Sequence, residues 1–465
     1  MITTNTASSV GGGVYAEGSV LVENNVITDN VDGGGIYCFG GSVEIRNNEI
    51  AANKGGSGIY CNNCAAVTIV ANAVRNHSPR GGIQSWSSNF TLQTVVIDGN
   101  LIEGNASNGD AGGILLHQDH GVAYVSSNVI ADNVSARHGG AIWWDTAVEI
   151  TDNTIVGNAA VLGGGLYVEY ATGGRITNNR IVANAATQDG GGLWIKYYQF
   201  SLSQNLFARN TAGALGGAIY SLISFPELSN LTFTGNSAAS GGAIWFDYNT
   251  LRLTSCILWD DHAGTGAEII SPAGIPQISY SDVQGGFAGA GNIDADPRFT
   301  DPGGDDYSLA TTSPCLDAGD PDARPGGHDV SANARFLDGN LDRVMRVDMG
   351  AEEFANVRLA VSGSATPGGT LTLTTTGKPD LFVVLFAGRE PGEQLAAPYG
   401  ALFFSLGAPW NYLPLGAIPG SGSFRVDAQV PTYLPLPFPL VLQEVAAQLV
   451  PSAGNVSNAI ALTIE

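Results

Sequence analysis

Apolar residues recur along this chain in short alternating bursts that end on asparagine. VEIRNNEIAAN (Val43–Asn53), VEITDNTIVGN (Val148–Asn158), RITNNRIVAN (Arg175–Asn184) and SLSQNLFARN (Ser201–Asn210) each hold an alternating apolar strand, a polar pair, a second apolar step and an asparagine. The closing position is filled by Asn5, Asn30, Asn53, Asn105, Asn133, Asn158, Asn184, Asn210 and Asn236, with His77 standing in once. After each burst comes a glycine-rich strand. The copies are GGGVYAE (Gly11–Glu17), GGGIYCF (Gly33–Phe39), GSGIYCN (Gly56–Asn62), RGGIQSW (Arg80–Trp86) and AGGILLH (Ala111–His117). GGAIWWD (Gly139–Asp145), GGGLYVE (Gly163–Glu169), GGGLWIK (Gly190–Lys196), GGAIYSL (Gly216–Leu222) and GGAIWFD (Gly241–Asp247) follow. The ten copies lie 22 to 31 residues apart. No 3.6-residue apolar period runs through them, so helix is excluded and short strands are predicted. Units of this length cannot bury a core alone and must stack. Three short strands per turn, all running one way, make a parallel β-helix of about ten coils, right-handed because crossovers between parallel strands are.

The direction of each column follows from strand alternation. The fourth position of the glycine repeat is always Ile, Leu or Val and faces the core, so the sixth does too, and the fifth and seventh face outward. The fifth column holds Tyr15, Tyr37, Tyr60, Gln84, Leu115, Trp143, Tyr167, Trp194, Tyr220 and Trp245. The seventh includes His117, Asp145, Glu169 and Lys196 on consecutive coils. An outer row of rings flanked by ionisable groups is how a groove grips a chain of sugars. On this reading Tyr15, Tyr37, Tyr60, Trp143, Tyr167, Trp194, Tyr220 and Trp245 bind and the four polar groups supply hydrogen bonds. The competing reading is structural, since aromatic residues stack well on one another in parallel sheets. Catalysis is weighed against binding on the same four residues. A lyase base at Lys196 is opposed by Glu169 beside it, which raises its pKa. Asp145 and Glu169 stand ~5 Å apart by coil spacing, near the separation of a retaining hydrolase, but on one side of any sugar. The asparagine row and the glycines read as structure: a side-chain ladder and tight corners.

The GGAI strands paired with Phe-x-x-Asn (Phe207–Asn210, Phe233–Asn236) resemble the repeats of polymorphic outer-membrane proteins and, more broadly, the pectate-lyase-like β-helix superfamily. That resemblance covers residues 1–260 and implies the fold, which serves lyases, hydrolases, adhesins and tailspikes alike. From Cys256 the pattern changes. ISYSDVQGG, IDADPRF, DYSLATTSPCLDAGDP and VDMGAEE together resemble the tail of secreted bacterial β-helix proteins with a choice-of-anchor domain. The resemblance implies a secreted or cell-surface protein and a tail that caps the helix. Residues 1–255 are thus expected to be the β-helix, 256–356 the capping tail and 357–465, with alternating strands broken by Pro-Gly and Gly-Ser-Gly, a small β-sandwich.

Composition narrows the partners. The 465 residues carry a net charge of −23, with −12 of it in residues 261–356. Nucleic acid and anionic membranes are bound through Lys and Arg and are excluded, so a neutral polysaccharide or cell-surface glycan is the expected partner. The acidic loops offer calcium ligands at Asp294, Asp296, Asp301, Asp305 and Asp306, with Asp317, Asp320 and Asp322 nearby. Aspartates also form turns, and both readings stand. Cys38 and Cys61 lie one coil apart in one column, within disulfide reach, or are small buried hydrophobes; Cys64, Cys256 and Cys315 complete an odd set of five. No membrane-spanning run is present. The chain opens in mid-repeat at Ile2–Asn5, so the start reads as truncated, with a secretion signal missing from it. The sequence thus points to a secreted or surface β-helix protein that binds an extended glycan. A polysaccharide hydrolase or lyase and a structural adhesin spacer are the alternatives.

Overall fold

The computed structural model describes residues 1–354 apart from 8, 89–92, 119–120, 172, 198–200, 225–226, 248–249, 324–326, 332, 334, 336, 338 and 340–343, and beyond 356 the backbone of the strands. It divides into two units, 1–294 and 295–465. The first is a right-handed parallel β-helix of about eleven coils. One coil shows the design: Ile142–Trp144, Ala147–Thr151, Thr154–Val156 and Ala159–Ala160 follow one another around the section. Each strand pairs in parallel with its counterpart one coil on, giving sheets of eleven, eleven, twelve and seven strands. Among the described residues no helix is long and apolar enough to cross a membrane.

The alternating pattern becomes a core because each strand sends every second side chain inward. Ile45, Ile69, Ile97, Val125, Ile150 and Ile176 make one stripe of that core and are fully buried. Each such side chain contributes about 1.5–3 kcal/mol. The asparagine row is a ladder within this core. The backbone N–H and Nδ2 of Asn158 both donate to Oδ1 of Asn184, at 3.0 and 3.0 Å, while Nδ2 also donates to the Ile130 carbonyl at 2.9 Å. A second ladder, foreshadowed only as the polar pair, runs through Asn48, Asn72, Asn100, Asn128, Asn153, Asn179 and Asn205.

The ladders also explain the corners. The residue before each ladder position takes a left-handed conformation even where it is not glycine, as at Asp132 (φ 53°) and Ala183 (φ 54°). In several coils the ladder Nδ2 donates back across that residue, from Asn153 to the Thr151 carbonyl at 2.9 Å for instance. At the third corner Gly139 has φ +64°, and a Cβ there would lie 2.6 Å from the Ile142 carbonyl oxygen. Gly165 is small for a different reason: a Cβ would lie 2.6 Å from the Gly192 oxygen and 3.3 Å from Cγ of Asn184.

The repeat persists past the last Gly-Gly. Arg252–Thr254, Ile257–Trp259, His262–Thr265, Ile269–Ile270, Gln277–Ser279 and Asp282–Val283 still pair as parallel coil strands. Residues 284–293 then turn back over the final coil. Asn292 Nδ2 donates to the Ile278 carbonyl at 3.0 Å, and Phe287 packs on the core. At the opposite end Ile2, Val14, Ala16 and Val20 are partly buried against the same core. All five cysteines are free, buried thiols, which settles the choice left open for Cys38 and Cys61.

The second unit opens with an antiparallel pair, Phe299–Asp301 with Asp306–Leu309. Between 313 and 353 a compact segment buries Cys315, Leu337, Val347 and Met349 around Arg335, whose Nη1 lies 3.4 Å from Glu353 Oε2. Beyond 356 the strands are antiparallel, as expected for a separate all-β segment. Val357–Gly363, Thr370–Gly377 and Ser423–Gln429 form one sheet. Phe382–Gly388, Asn411–Ala417, Phe438–Ala447, Gly454–Val456 and Ile460–Ile464 form another.

Candidate functional site

The glycine strands lie in register, so each column is continuous in space. Tyr15 pairs with Tyr37, Tyr37 with Tyr60, Tyr60 with Gln84, Gln84 with Leu115 and Leu115 with Trp143. The sixth column is inward as alternation requires: Cys38, Cys61, Ser85, Leu116, Trp144, Val168, Ile195, Ser221 and Phe246 are all buried.

The fifth column corrects the picture of eight exposed rings. Only Tyr15 is largely exposed, at 56%, whereas Tyr167, Trp194 and Tyr220 are 4%, 7% and 8% exposed. These rings cover one another. Tyr167 and Trp194 stack at 4.4 Å and 7°, Trp194 and Tyr220 at 5.5 Å and 11°, and Tyr220 and Trp245 at 4.7 Å and 1°. The coil spacing of ~4.8 Å is itself a ring-stacking distance, so side chains that leave the sheet in register turn their faces on each other. Burial raises the hydroxyl pKa of Tyr167 and takes that of Tyr220 to about 12, with carboxylates nearby adding to both. Trp245, partly exposed, ends this stack, and Trp143, also partly exposed, packs against the same cluster with its ring 6.4 Å from that of His117. A shorter run, Tyr15 on Tyr37 at 5.5 Å, ends at Tyr60, which is turned 84° to Tyr37.

Between the two runs the rings stop for two coils, at Gln84 and Leu115. Beside them a polar pocket of about 360 Å³ opens, lined by Arg80, Gln84, Ser107, Asn108, Asp110 and Leu115 among others. Gln84 Nε2 donates to the Arg80 carbonyl at 2.9 Å, and Asp110 Oδ1 lies 2.7 Å from His138 Nδ1. His138 stacks in turn on Tyr167 at 4.6 Å. Asp110 and His138 were missed from the sequence. Their signal is the column just before the glycines, which alternation beyond a left-handed corner does not orient.

The seventh column pairs its charges between neighbouring coils. His117 Nδ1 lies 2.5 Å from Asp145 Oδ2, and the His117 ring sits on Trp86 at 3.9 Å. Lys196 Nζ lies 3.3 Å from Glu169 Oε1, whose other oxygen accepts from the Tyr167 hydroxyl at 3.0 Å. Asp145 is thus paired with the coil before it and Glu169 with the coil after it. Two further rings missed from sequence, Tyr170 and Tyr197, stack at 4.9 Å outside this column.

The acidic loops use their carboxylates on turns. Asp294 accepts from the Gly285 N–H, Asp296 from Arg298, Asp301 from Gly304 and Asp306 from Ser308, while Asp305 accepts from the Tyr307 hydroxyl. Among the described residues no three His, Cys, Asp or Glu side chains converge to hold an ion. In these loops the carboxylates take up donors on short turns, the role aspartate commonly plays there.

Residues 40–249 match the model of a family described as periplasmic copper-binding protein (NosD). No curated relative matches the chain. A solved structure similar in outline is the enzymatically active domain of tailspike protein 2 of bacteriophage CBA120. It shares 10% identity over 96% of this chain and 72% of that one, with a TM-score of 0.33. Copper would need converging imidazole or sulfur donors. His117 and His138 each meet a single carboxylate and the thiols lie in the core, so the described residues do not form such a site.

Proposed function

We propose that the protein binds a neutral glycan on the outer face of its glycine-strand sheet, outside the cytoplasm. The observation that carries this reading is the two-coil interruption in the ring row. It leaves Trp143 partly exposed on the coil after Leu115, its ring 6.4 Å from that of His117, with Leu115 lining a polar pocket. A sugar needs that combination, an aromatic face for its apolar side and hydrogen-bonding groups for its hydroxyls. Arg80, Gln84 and Asp110 supply the groups on one side and His117 with Asp145 on the other. The periplasmic description of the matching family supports a place beyond the inner membrane. A net charge of −23 favours a neutral ligand over a polyanion.

The test is a glycan array with the whole chain, followed by calorimetry on the best binders. Trp143→Ala should weaken binding at least tenfold, the loss of roughly 1.4 kcal/mol expected for one stacking contact. An array with no binder, or undiminished binding in the variant, overturns the reading. Release of reducing sugar that disappears in Asp145→Asn would convert the binding face into an active site.

A further inference from the structure

We infer that Tyr170 and Tyr197 form a second sugar-stacking subsite, at the corner where the chain leaves the glycine-strand sheet. The inference rests on the binding reading above and adds a place of contact outside the Trp143 region. Each tyrosine directly follows its strand, Leu166–Glu169 or Leu193–Lys196. Both take a left-handed backbone, φ 63° and 55°. Gly18, Gly40 and Asn63 hold the same corner on the first three coils, at φ 84°, 68° and 51°. Hydrogen bonding shows the equivalence, because each N–H donates to the seventh-column carbonyl one coil on. Gly18 donates to Phe39, Gly40 to Asn62, Asn63 to Trp86, Tyr170 to Lys196 and Tyr197 to Leu222. Glycine and asparagine suit this conformation, whereas a bulky side chain is strained in it. Rings placed there at a conformational cost call for a compensating contact, and the core does not supply it. Tyr170 is 65% exposed and Tyr197 39%. Ile223, next in the column at φ 50°, is half-buried.

The surroundings fit a neutral sugar. The two rings lie 4.9 Å apart at 20°. Lys196 Nζ is 4.8 Å from the centre of the Tyr197 ring and 3.3 Å from Glu169 Oε1. Glu169 Oε2 accepts from the Tyr167 hydroxyl at 3.0 Å. A stacked pair of rings thus stands beside an ammonium and a carboxylate that are both partly exposed. The apolar face of a sugar lies on tyrosine, while its hydroxyls donate to Glu169 and accept from Lys196. A charged ligand of either sign would meet one like charge. A protein partner needs about 800 Å² on each side, and two rings offer at most roughly 500 Å². Glu169 follows Asp145 in the seventh column, one coil or ~5 Å on. One oligosaccharide therefore reaches from His117 and Asp145 to the tyrosines.

The experiment is calorimetry on the full chain with neutral β-1,4-linked gluco-, xylo- and manno-hexasaccharides. Tyr170→Ala and Tyr197→Ala should each lower affinity at least fivefold, and Tyr170→Phe, which keeps the ring, should stay within about twofold of the parent. Tyr170→Gly separates binding from architecture. It removes the strain along with the ring, so affinity should fall while the melting temperature holds or rises. Tyr124→Ala, an exposed ring on the neighbouring sheet, should change nothing. Undiminished affinity in both alanine variants, or a lowered melting temperature in Tyr170→Gly, overturns the subsite and leaves the binding reading to the Trp143→Ala result. If no hexasaccharide binds the parent protein, the subsite falls, and the array alone then judges the binding reading.

Discussion

His77 stands where the neighbouring coils carry ladder asparagine, and it shows what that asparagine does. Its ring nitrogens lie 2.9 Å from the Ile50 carbonyl and 3.2 Å from that of Asn53. A neutral imidazole donates from only one nitrogen, so one carbonyl goes without. Burial lowers the His77 pKa, and the two carbonyls only partly counter that. A base whose folded pKa is depressed stabilises fully above its unfolded pKa near 6.5, and that contribution is lost as pH falls below it. His77→Asn should therefore stabilise the protein by about 1 kcal/mol at pH 7 and by more at pH 5, measured by urea unfolding. The converse change, Asn158→Ala, strips partners from two buried donors of Asn133 and from the Ile130 carbonyl. It should cost about 3 kcal/mol or more in the same assay.

At the scale of one element, the last coil departs from the repeat in two columns at once. Asp261 takes the ladder position, accepting from Asn236 N and Nδ2 at 2.7 and 2.8 Å. Glu268 takes the column filled elsewhere by glycine or alanine, since Ile269 pairs with Ile244. Asp261 Oδ2 and both Glu268 oxygens are buried without a donor, with Asp260 and Asp282 adding negative charge. Two carboxylates that meet this way must share a proton. Desolvation, reinforced by Glu268, raises Asp261 well above its usual range, and desolvation takes Glu268 to about 7. Acids with raised folded pKa values lend their stability below their unfolded pKa, and it is lost as pH rises through the folded value. Stability should thus fall between about pH 4 and pH 7 from this pair. Glu268→Gln should flatten that slope and gain on the order of 2 kcal/mol at pH 8. An unchanged pH profile by chemical denaturation would show that the pair does not share a proton. The turns of 294–306 belong to this scale too: with each carboxylate satisfied locally, adding a chelator should leave the melting temperature unchanged.

For the whole β-helix, stacking makes the coil the unit of change. Removing residues 159–184 joins Asn158 to Ala185, the register partner of Ala159, and restores every column. That deletion should retain the β circular-dichroism signal and cooperative unfolding. Removing only 159–171 should abolish both, because it sends core residues to the surface.

What sequence alone determined is the repeat: the parallel coils, the inward sixth column, the asparagine ladder from Asn5 to Asn236, buried from Asn30 on, and the all-β character of the strands beyond 356. Each of these is a local pattern copied many times, so a two-residue period and a fixed asparagine state it without any knowledge of neighbours. Tertiary structure alone decided the fate of what points outward. Tyr167, Trp194 and Tyr220 are outward by alternation yet buried by one another, and His117 meets Asp145 while Lys196 meets Glu169. Those outcomes depend on side-chain reach and on the ~4.8 Å between coils, which no single strand contains. The interruption at Gln84 and Leu115 was in view as two missing aromatics. Only the tertiary structure opens a polar pocket beside it, because Arg80, Asn108 and Asp110 come from corners that no strand pattern orients.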